Sequence, residues 1–210
     1  MPIRAIVFDL LTALLDSWSL WTTAAANDSE QALTWRKRYL ELTFGCGAYR
    51  PYEDLVRIAA ADVGLSESAP AALIANWDKL QPWPEAKETL AQLRARGYLL
   101  GVVSNCSIEL GQRAIARCGE TAATFDAFVT AEEVGFYKPH PNTYRDILAA
   151  LGVRPDEAVF VAGSNGDVVG AGAAGMSVVW HNRIGLPALP GSSPLIEANS
   201  LDAALSQFIA

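Results

Sequence analysis

Two histidines and three cysteines in 210 residues leave little material for metal or disulfide chemistry. Cys46, Cys106 and Cys118 form no Cys-x-x-Cys pair, so neither a zinc site nor a disulfide framework has its parts. No stretch reaches the roughly 18 consecutive apolar residues of a membrane span. No block of lysine or arginine occurs either: 16 basic residues stand against 23 acidic ones, for a formal net charge of −7. That balance argues against nucleic acid and anionic membrane surfaces as partners. The opening MPIRAIVFDL runs straight into a strand pattern with no signal peptide, which predicts a soluble, cytoplasmic protein. Apolar residues, by contrast, are plentiful. At 51% hydrophobic and 19% charged, the chain can bury a substantial core and is not expected to be disordered.

Short apolar runs recur along the chain: IRAIVFD (3–9), YLLGVVS (98–104), AFVT (127–130), AVFVAG (158–163) and SVVWHN (177–182). Rich in Val, Ile and Phe, they read as buried parallel strands. Helical patterns separate them, at 85–97, 108–119, 142–152 and 167–176, and glycines at 97 and 152 mark two helix ends. Alternating strands and helices predict a doubly wound α/β sheet. One interval breaks the alternation. Residues 17–81 show no strand pattern and read as several helices, with SEQALTWRKRYLELTF the longest, before Pro82 and Pro84 punctuate the return. The chain therefore divides into a core, 1–16 and 82–210, and a helical insertion directly after the first strand. Ligands bind beyond the carboxyl ends of such strands, where the insertion would form a lid.

The predicted strand ends carry a coherent set of polar groups. The first delivers Asp9, the second Ser104 and Asn105, the third leads to Lys138 and Tyr144, and the fourth to Ser164, Asn165 and Asp167. Each has a plain structural reading: Asp9 as a turn residue, Ser-Asn as a turn pair, Lys138 as a loop residue, Asp167 as a helix cap. Their joint order at successive strand ends points instead to a carboxylate nucleophile, hydroxyl and amide donors, a balancing lysine and a second carboxylate. Cys106, His140 and His181 read as structural: a packed thiol, a helix-start residue and a near-core polar group. Trp18, Trp21 and Trp35, at helical spacing, read as helix-to-helix packing residues that could also border a pocket.

That order resembles the haloacid dehalogenase superfamily, whose Rossmann-like core carries its nucleophilic aspartate at the end of the first strand. The resemblance covers nearly the whole chain and separates two branches. Phosphatase members keep a second acid two residues after the nucleophile, to protonate an alkoxide leaving group, and bind magnesium. Here that position is Leu11, and Gly163 stands where an acidic metal ligand is usual. The 2-haloacid dehalogenase branch needs neither, because a halide departs without a proton. TWRKRYLELTF is similar to that branch's lid helix, which implies that Arg36 faces the halide or the substrate carboxylate and that Leu40 and Tyr52 are apolar pocket walls. YKPHPNTY keeps the branch's Lys and Tyr as Lys138 and Tyr144, VVSNCSIE its Ser-Asn pair as Ser104 and Asn105, and VVWHNRIG its Trp-x-Asn-Arg stretch. The resemblance implies catalytic roles for Asp9, Arg36, Lys138 and Asp167. It implies substrate contacts for Leu11, Leu40, Tyr52, Ser104, Asn105, Tyr144 and Ser164, with no metal or other cofactor. The substrate would be a small-molecule carboxylate, and the lid helices are a candidate homodimer contact.

The departures carry their own expectations. Thr12 and Ala13 replace the branch's Gly-Thr, implying loss of a hydroxyl that hydrogen-bonds the nucleophile. Ala162, Gly163 and Ser164 replace its Ser-Ser-Asn, with Asn165 displaced by one, which bears on placing the hydrolytic water. Leu11 and Gly166, replacing larger aromatics, predict a pocket for acids bulkier than chloroacetate. A magnesium-dependent phosphatase and a non-catalytic binding protein stand as the alternatives.

Overall fold

The computed structural model describes residues 2–119 and 124–210. Its centre is a six-stranded, all-parallel sheet in the order β3-β2-β1-β4-β5-β6. The strands are β1 (Ala5–Asp9), β2 (Leu99–Ser104), β3 (Ala127–Thr130), β4 (Ala158–Ala162), β5 (Ser177–His181) and β6 (Ile196–Ala198). Five of the six lie where the apolar runs predict them. β6 was not predicted: three half-exposed residues pairing only with β5 leave too short a pattern to read. The strand order reverses beside β1, the place where doubly wound sheets open a crevice at the strands' carboxyl ends.

Side chains of β1 alternate across the sheet. Ile6 and Phe8 enter one buried apolar cluster; Ala5 and Val7 enter another, on the opposite face. Continuous burial of β1 and β4 explains why both strands read as unbroken apolar runs.

The interval after β1 is helical, as expected: α1 (Ser17–Ala24), α2 (Ser29–Gly45), α3 (Tyr52–Asp62) and α4 (Ser68–Ala75). Asp16 and Asp28 cap the first two through the backbone N–H groups of Ser19 and Gln31. The chain leaves and re-enters the core side by side. Asp16 N donates to Gln81 O (2.8 Å) and Trp83 N to Leu14 O (3.0 Å), with Leu15 bridging Pro82. The helices pack through a relay of rings, Trp35–Trp21–Tyr39–Tyr52–Trp77, with successive centroids 4.6, 5.6, 5.2 and 5.6 Å apart. Such pairs contribute roughly 0.5–1.5 kcal/mol each beyond their burial, enough to hold helices of modest length together. No described helix is long and apolar enough to cross a membrane.

Candidate active site

β1 ends at Asp9, and Leu10–Leu14 then form a single π-helical turn that Asp9 caps. Asp9 Oδ2 accepts from Thr12 N (2.8 Å), Thr12 Oγ1 (2.6 Å) and Ala13 N (3.2 Å). Oδ1 accepts from Lys138 Nζ alone (2.8 Å). The turn is itself tied from behind: Trp83 Nε1 donates to Thr12 O (3.0 Å), and His181 Nδ1 lies 3.0 Å from Ala13 O. Burial holds His181 below its ordinary 6.5, so the neutral ring serves as a donor here. Burial also pushes the Asp9 carboxyl up, but the Lys138 charge and hydrogen bond, together with Thr12, outweigh it and hold the group below 3.8. Asp9 is therefore ionised at neutral pH. The hydroxyl expected to be lost at Ala13 is supplied one residue earlier, by Thr12.

Lys138 also donates to Asp167 Oδ2 (3.0 Å). The Asn105 amide holds Lys138 in place, accepting from Lys138 N (2.7 Å) and donating to Lys138 O (3.0 Å). Asp167 stands in the first turn of the helix Asn165–Ala173, whose N-cap is Ser164. Thus Ser164, rather than Asp167, fills the capping role. Burial raises the Asp167 carboxyl above 3.8 against the pull of Lys138. From the insertion, Arg36 reaches the same space at 7% exposure. Its Nη1 donates to Ser17 Oγ (2.8 Å), its guanidinium stacks 4.0 Å from the Trp18 ring, and its Nε has no hydrogen-bond partner among the described residues. Burial lowers the Arg36 pKa from its ordinary value, yet a guanidinium remains charged. It makes no ion pair with a carboxylate among the described residues.

Asp9, Leu11, Arg36, Leu40, Tyr52, Asn105, Lys138, Ser164 and Asp167 line one cavity of about 40 Å³. Ser104 and Tyr144 do not. Strand alternation turns Ser104 to the face of Val102, where it is fully buried and accepts from Cys106 Sγ (3.3 Å). The Tyr144 ring packs against Phe160 in the other apolar cluster. Asn165 turns away and donates to Pro187 O (2.9 Å). Thr12, Trp21, Tyr39 and Phe44 line the cavity without having been singled out for it, except that Trp21 was read as a residue that could border a pocket. For Tyr39 and Phe44 the signal was present: on α2 they lie three and eight residues after Arg36, on its face of the helix.

Phe44 corrects the expectation of an enlarged pocket. A Cβ at Gly166 would come within 2.8 Å of the Phe44 ring, so the space freed by glycine is already filled from the insertion. At ~10–15 Å³ per water, the cavity holds only a few water-sized groups.

The profile of the haloacid dehalogenase-like hydrolases matches residues 3–175. The chain belongs to this family. It is 32% identical over 200 residues to (S)-2-haloacid dehalogenase 1 of Pseudomonas sp. (strain CBS-3), covering 89% of this chain and 87% of that one. A glyceraldehyde 3-phosphate phosphatase of Methanopyrus kandleri is 32% identical over 199 residues, at 86% and 84% coverage. The L-2-haloacid dehalogenase of Xanthobacter autotrophicus with chloropropionic acid covalently bound superposes with a TM-score of 0.81. That pair is 25% identical, over 99% of this chain and 100% of the other.

As a haloacid dehalogenase-like hydrolase, the chain has a donor set that does not suit magnesium, which favours several hard oxygens. Asp9 and Asp167 each give an oxygen to Lys138, and Gly163 offers no side-chain ligand. Among the described residues, no group of three His, Cys, Asp or Glu side chains is placed to hold a metal. Cys106 is buried and its thiol pushed up to about 12, chiefly by burial, so it packs rather than reacts. His140 caps the helix Pro141–Leu151, its Nδ1 accepting from Asn142 N.

The turn after β1 requires glycine at 163. A Cβ there would fall on Thr12 Oγ1 and on the backbone of Thr12 and Ala13, and because backbone atoms are among those met, the requirement holds whatever side chain stands at 12. Gly163→Ala is therefore expected to lower stability by about 1–3 kcal/mol, as overpacking does. Adding Thr12→Gly is not expected to recover the loss. Urea unfolding of Gly163→Ala and of the double variant checks this; a double variant as stable as wild type would show that the Thr12 side chain alone sets the limit.

Proposed function

We propose that the protein is a metal-independent 2-haloacid dehalogenase that works through an ester on Asp9. The observation that carries this reading is the buried, unpaired Arg36 guanidinium facing the same cavity as an ionised, lysine-held carboxylate. No carboxylate among the described residues pairs with that guanidinium, and the nucleophile stands in the same cavity. The chloropropionic acid covalently bound to a relative of the same fold supports it as well.

Asp9 Oδ2 is saturated by three donors, whereas Oδ1 has only Lys138 and keeps lone-pair capacity toward the cavity. Oδ1 attacks C2 of the acid in line. The new O–C2 bond forms as the C2–halogen bond breaks, the centre inverts, and the electron pair leaves with the halide toward Arg36. Water then adds to the Asp9 ester carbonyl, giving one proton to Asp167. The bond from Cγ to the ester oxygen breaks, the departing alkoxide takes that proton from Asp167 and leaves as the 2-hydroxy acid, and the second proton passes to solvent as the Asp9 carboxylate is regenerated. Lys138 balances both carboxylates throughout, and Asn105 positions Lys138. No proton need reach the leaving halide, so Leu11 in place of an acid is no obstacle. A phosphate ester would lack that donor. The helical insertion, residues 17–81, acts as the lid, carrying Arg36, Leu40 and Tyr52 over the strand ends.

Halide release from 2-chloro and 2-bromo acids, measured with EDTA present, tests the reading; phosphate-ester hydrolysis with magnesium is the comparison. Activity only in the second assay would overturn it. The small cavity predicts a preference for acids of about two or three carbons. Phe44 is 45% exposed, so its truncation spares the core. Phe44→Ala is expected to raise kcat/KM for 2-chlorobutyrate relative to chloroacetate by about tenfold, the scale of one methylene in a pocket. An unchanged ratio would show that Phe44 does not limit chain length.

A further inference from the structure

The cavity contains two tyrosines with different hydrogen-bonding positions. The Tyr39 hydroxyl is committed, donating to Asn105 O (3.1 Å). The Tyr52 hydroxyl is fully buried and has no hydrogen-bond partner among the described residues. Its ring is held at its edges by Tyr39 and Trp77, with centroids 5.2 and 5.6 Å away, so the phenol cannot swing out to find one. A buried hydroxyl left unmatched in this way is destabilising unless a ligand supplies the acceptor. The other unmatched donor at the cavity is Arg36 Nε, also from the insertion.

Resting on the dehalogenase reading, we infer that the Tyr52 hydroxyl is a catalytic residue, the second hydrogen-bond donor beside Arg36 to the departing halide. In-line attack from Asp9, at the sheet end, sends the halide away from the sheet and toward the insertion, where both donors stand. Asn105, which the family resemblance assigned to substrate contact, is engaged on both its oxygen and its nitrogen by the Lys138 backbone. Burial raises the phenol's pKa over the lowering effect of the Arg36 charge, so the O–H is retained at neutral pH, where Asp9 is ionised. Tyr52 thus does more than form an apolar wall. It gives the leaving group a neutral, fixed donor that strengthens as negative charge develops.

Tyr52→Phe removes one oxygen and keeps the ring packing. The measurement is kcat/KM, which reports the steps through carbon–halogen cleavage, for 2-chloro- and 2-iodopropionate with wild type and variant. Chloride accepts hydrogen bonds more strongly than iodide. The expected result is a loss of about tenfold for the chloro acid and a clearly smaller loss for the iodo acid, with a melting temperature equal to or above that of wild type. Equal losses for both halogens, no loss for either, or a lowered melting temperature accompanying equal losses would each overturn the inference. The underlying reading fails differently: wild type would then release no halide from either acid.

Discussion

Asp9→Asn is expected to abolish halide release, lowering turnover by at least about four orders of magnitude while the protein stays folded. The side chain keeps its size, and an amide oxygen can still accept from Thr12 N, Thr12 Oγ1 and Ala13 N as Oδ2 does now. In the proposed mechanism, what disappears is the negative charge on the atom that attacks an sp³ carbon, and a neutral amide oxygen cannot displace halide at a useful rate. The amide also turns an N–H group toward Lys138 Nζ where Oδ1 now accepts at 2.8 Å, so some loss of stability accompanies the loss of activity. Two measurements separate these effects. Halide release should vanish while circular dichroism and cooperative melting persist. In the wild type, acid quenching during turnover followed by mass spectrometry should find the substrate's carboxyalkyl group on the peptide containing Asp9. Comparable halide release from the variant would remove Asp9 from the mechanism and leave direct attack by water.

Lys138→Met is expected to be nearly as damaging to activity and far more damaging to stability. Lys138, Asp9 and Asp167 are 1%, 6% and 7% exposed, and one ammonium serves both carboxylates. Its removal leaves two buried like charges, and breaking a buried ion pair typically costs about 3–5 kcal/mol. The chain can relieve this only by binding a proton, which neutralises the nucleophile or the base.

The pH dependence has a definite sign. In the wild type, Asp9 is depressed, so its contribution is complete above 3.8 and is lost only as pH falls below that value. Lys138 is raised above 10.5, against burial, by Asp167 and Asp9; its contribution is complete below 10.5 and is lost as pH rises through the folded pKa. Asp167, raised by burial, subtracts stability as pH rises through its folded pKa. In the variant, with the Lys138 charge gone, burial raises both carboxylates, the folded state binds more protons than the unfolded chain, and stability is expected to fall as pH rises from 3.8 toward neutrality. Urea midpoints across that range, compared with wild type, test the argument. A variant whose stability matched wild type throughout would mean that the carboxylates find another partner.

Much of this was legible along the chain because it is local. Buried parallel strands are continuous apolar runs, so β1 to β5 and the helical insertion between β1 and the re-entry at Pro82 follow from composition and spacing. Asp9, Lys138 and Asp167 could be placed together because a doubly wound sheet brings its strand ends to one edge. Arg36 and Leu40 followed from the resemblance of their segment to the lid helix of the 2-haloacid dehalogenases. The three-residue edge strand β6 escaped because it has too few residues for a periodicity and little burial to impose one.

The tertiary structure decided matters that depend on which groups meet across the fold. Thr12 takes over a hydroxyl expected at 13 because the π-helical turn curls its side chain onto Asp9, and Gly163 on β4's exit leaves the room. Phe44 closes the space that Gly166 opens, although the two lie far apart in the chain. Ser104 is lost from the cavity to the alternation of its own strand, and Tyr144 to the cluster around Phe160. Tyr52, expected as an apolar wall, presents an unmatched hydroxyl. Local pattern fixes which face of an element is buried. Only packing between elements determines which polar atoms find partners there and which are left for a ligand.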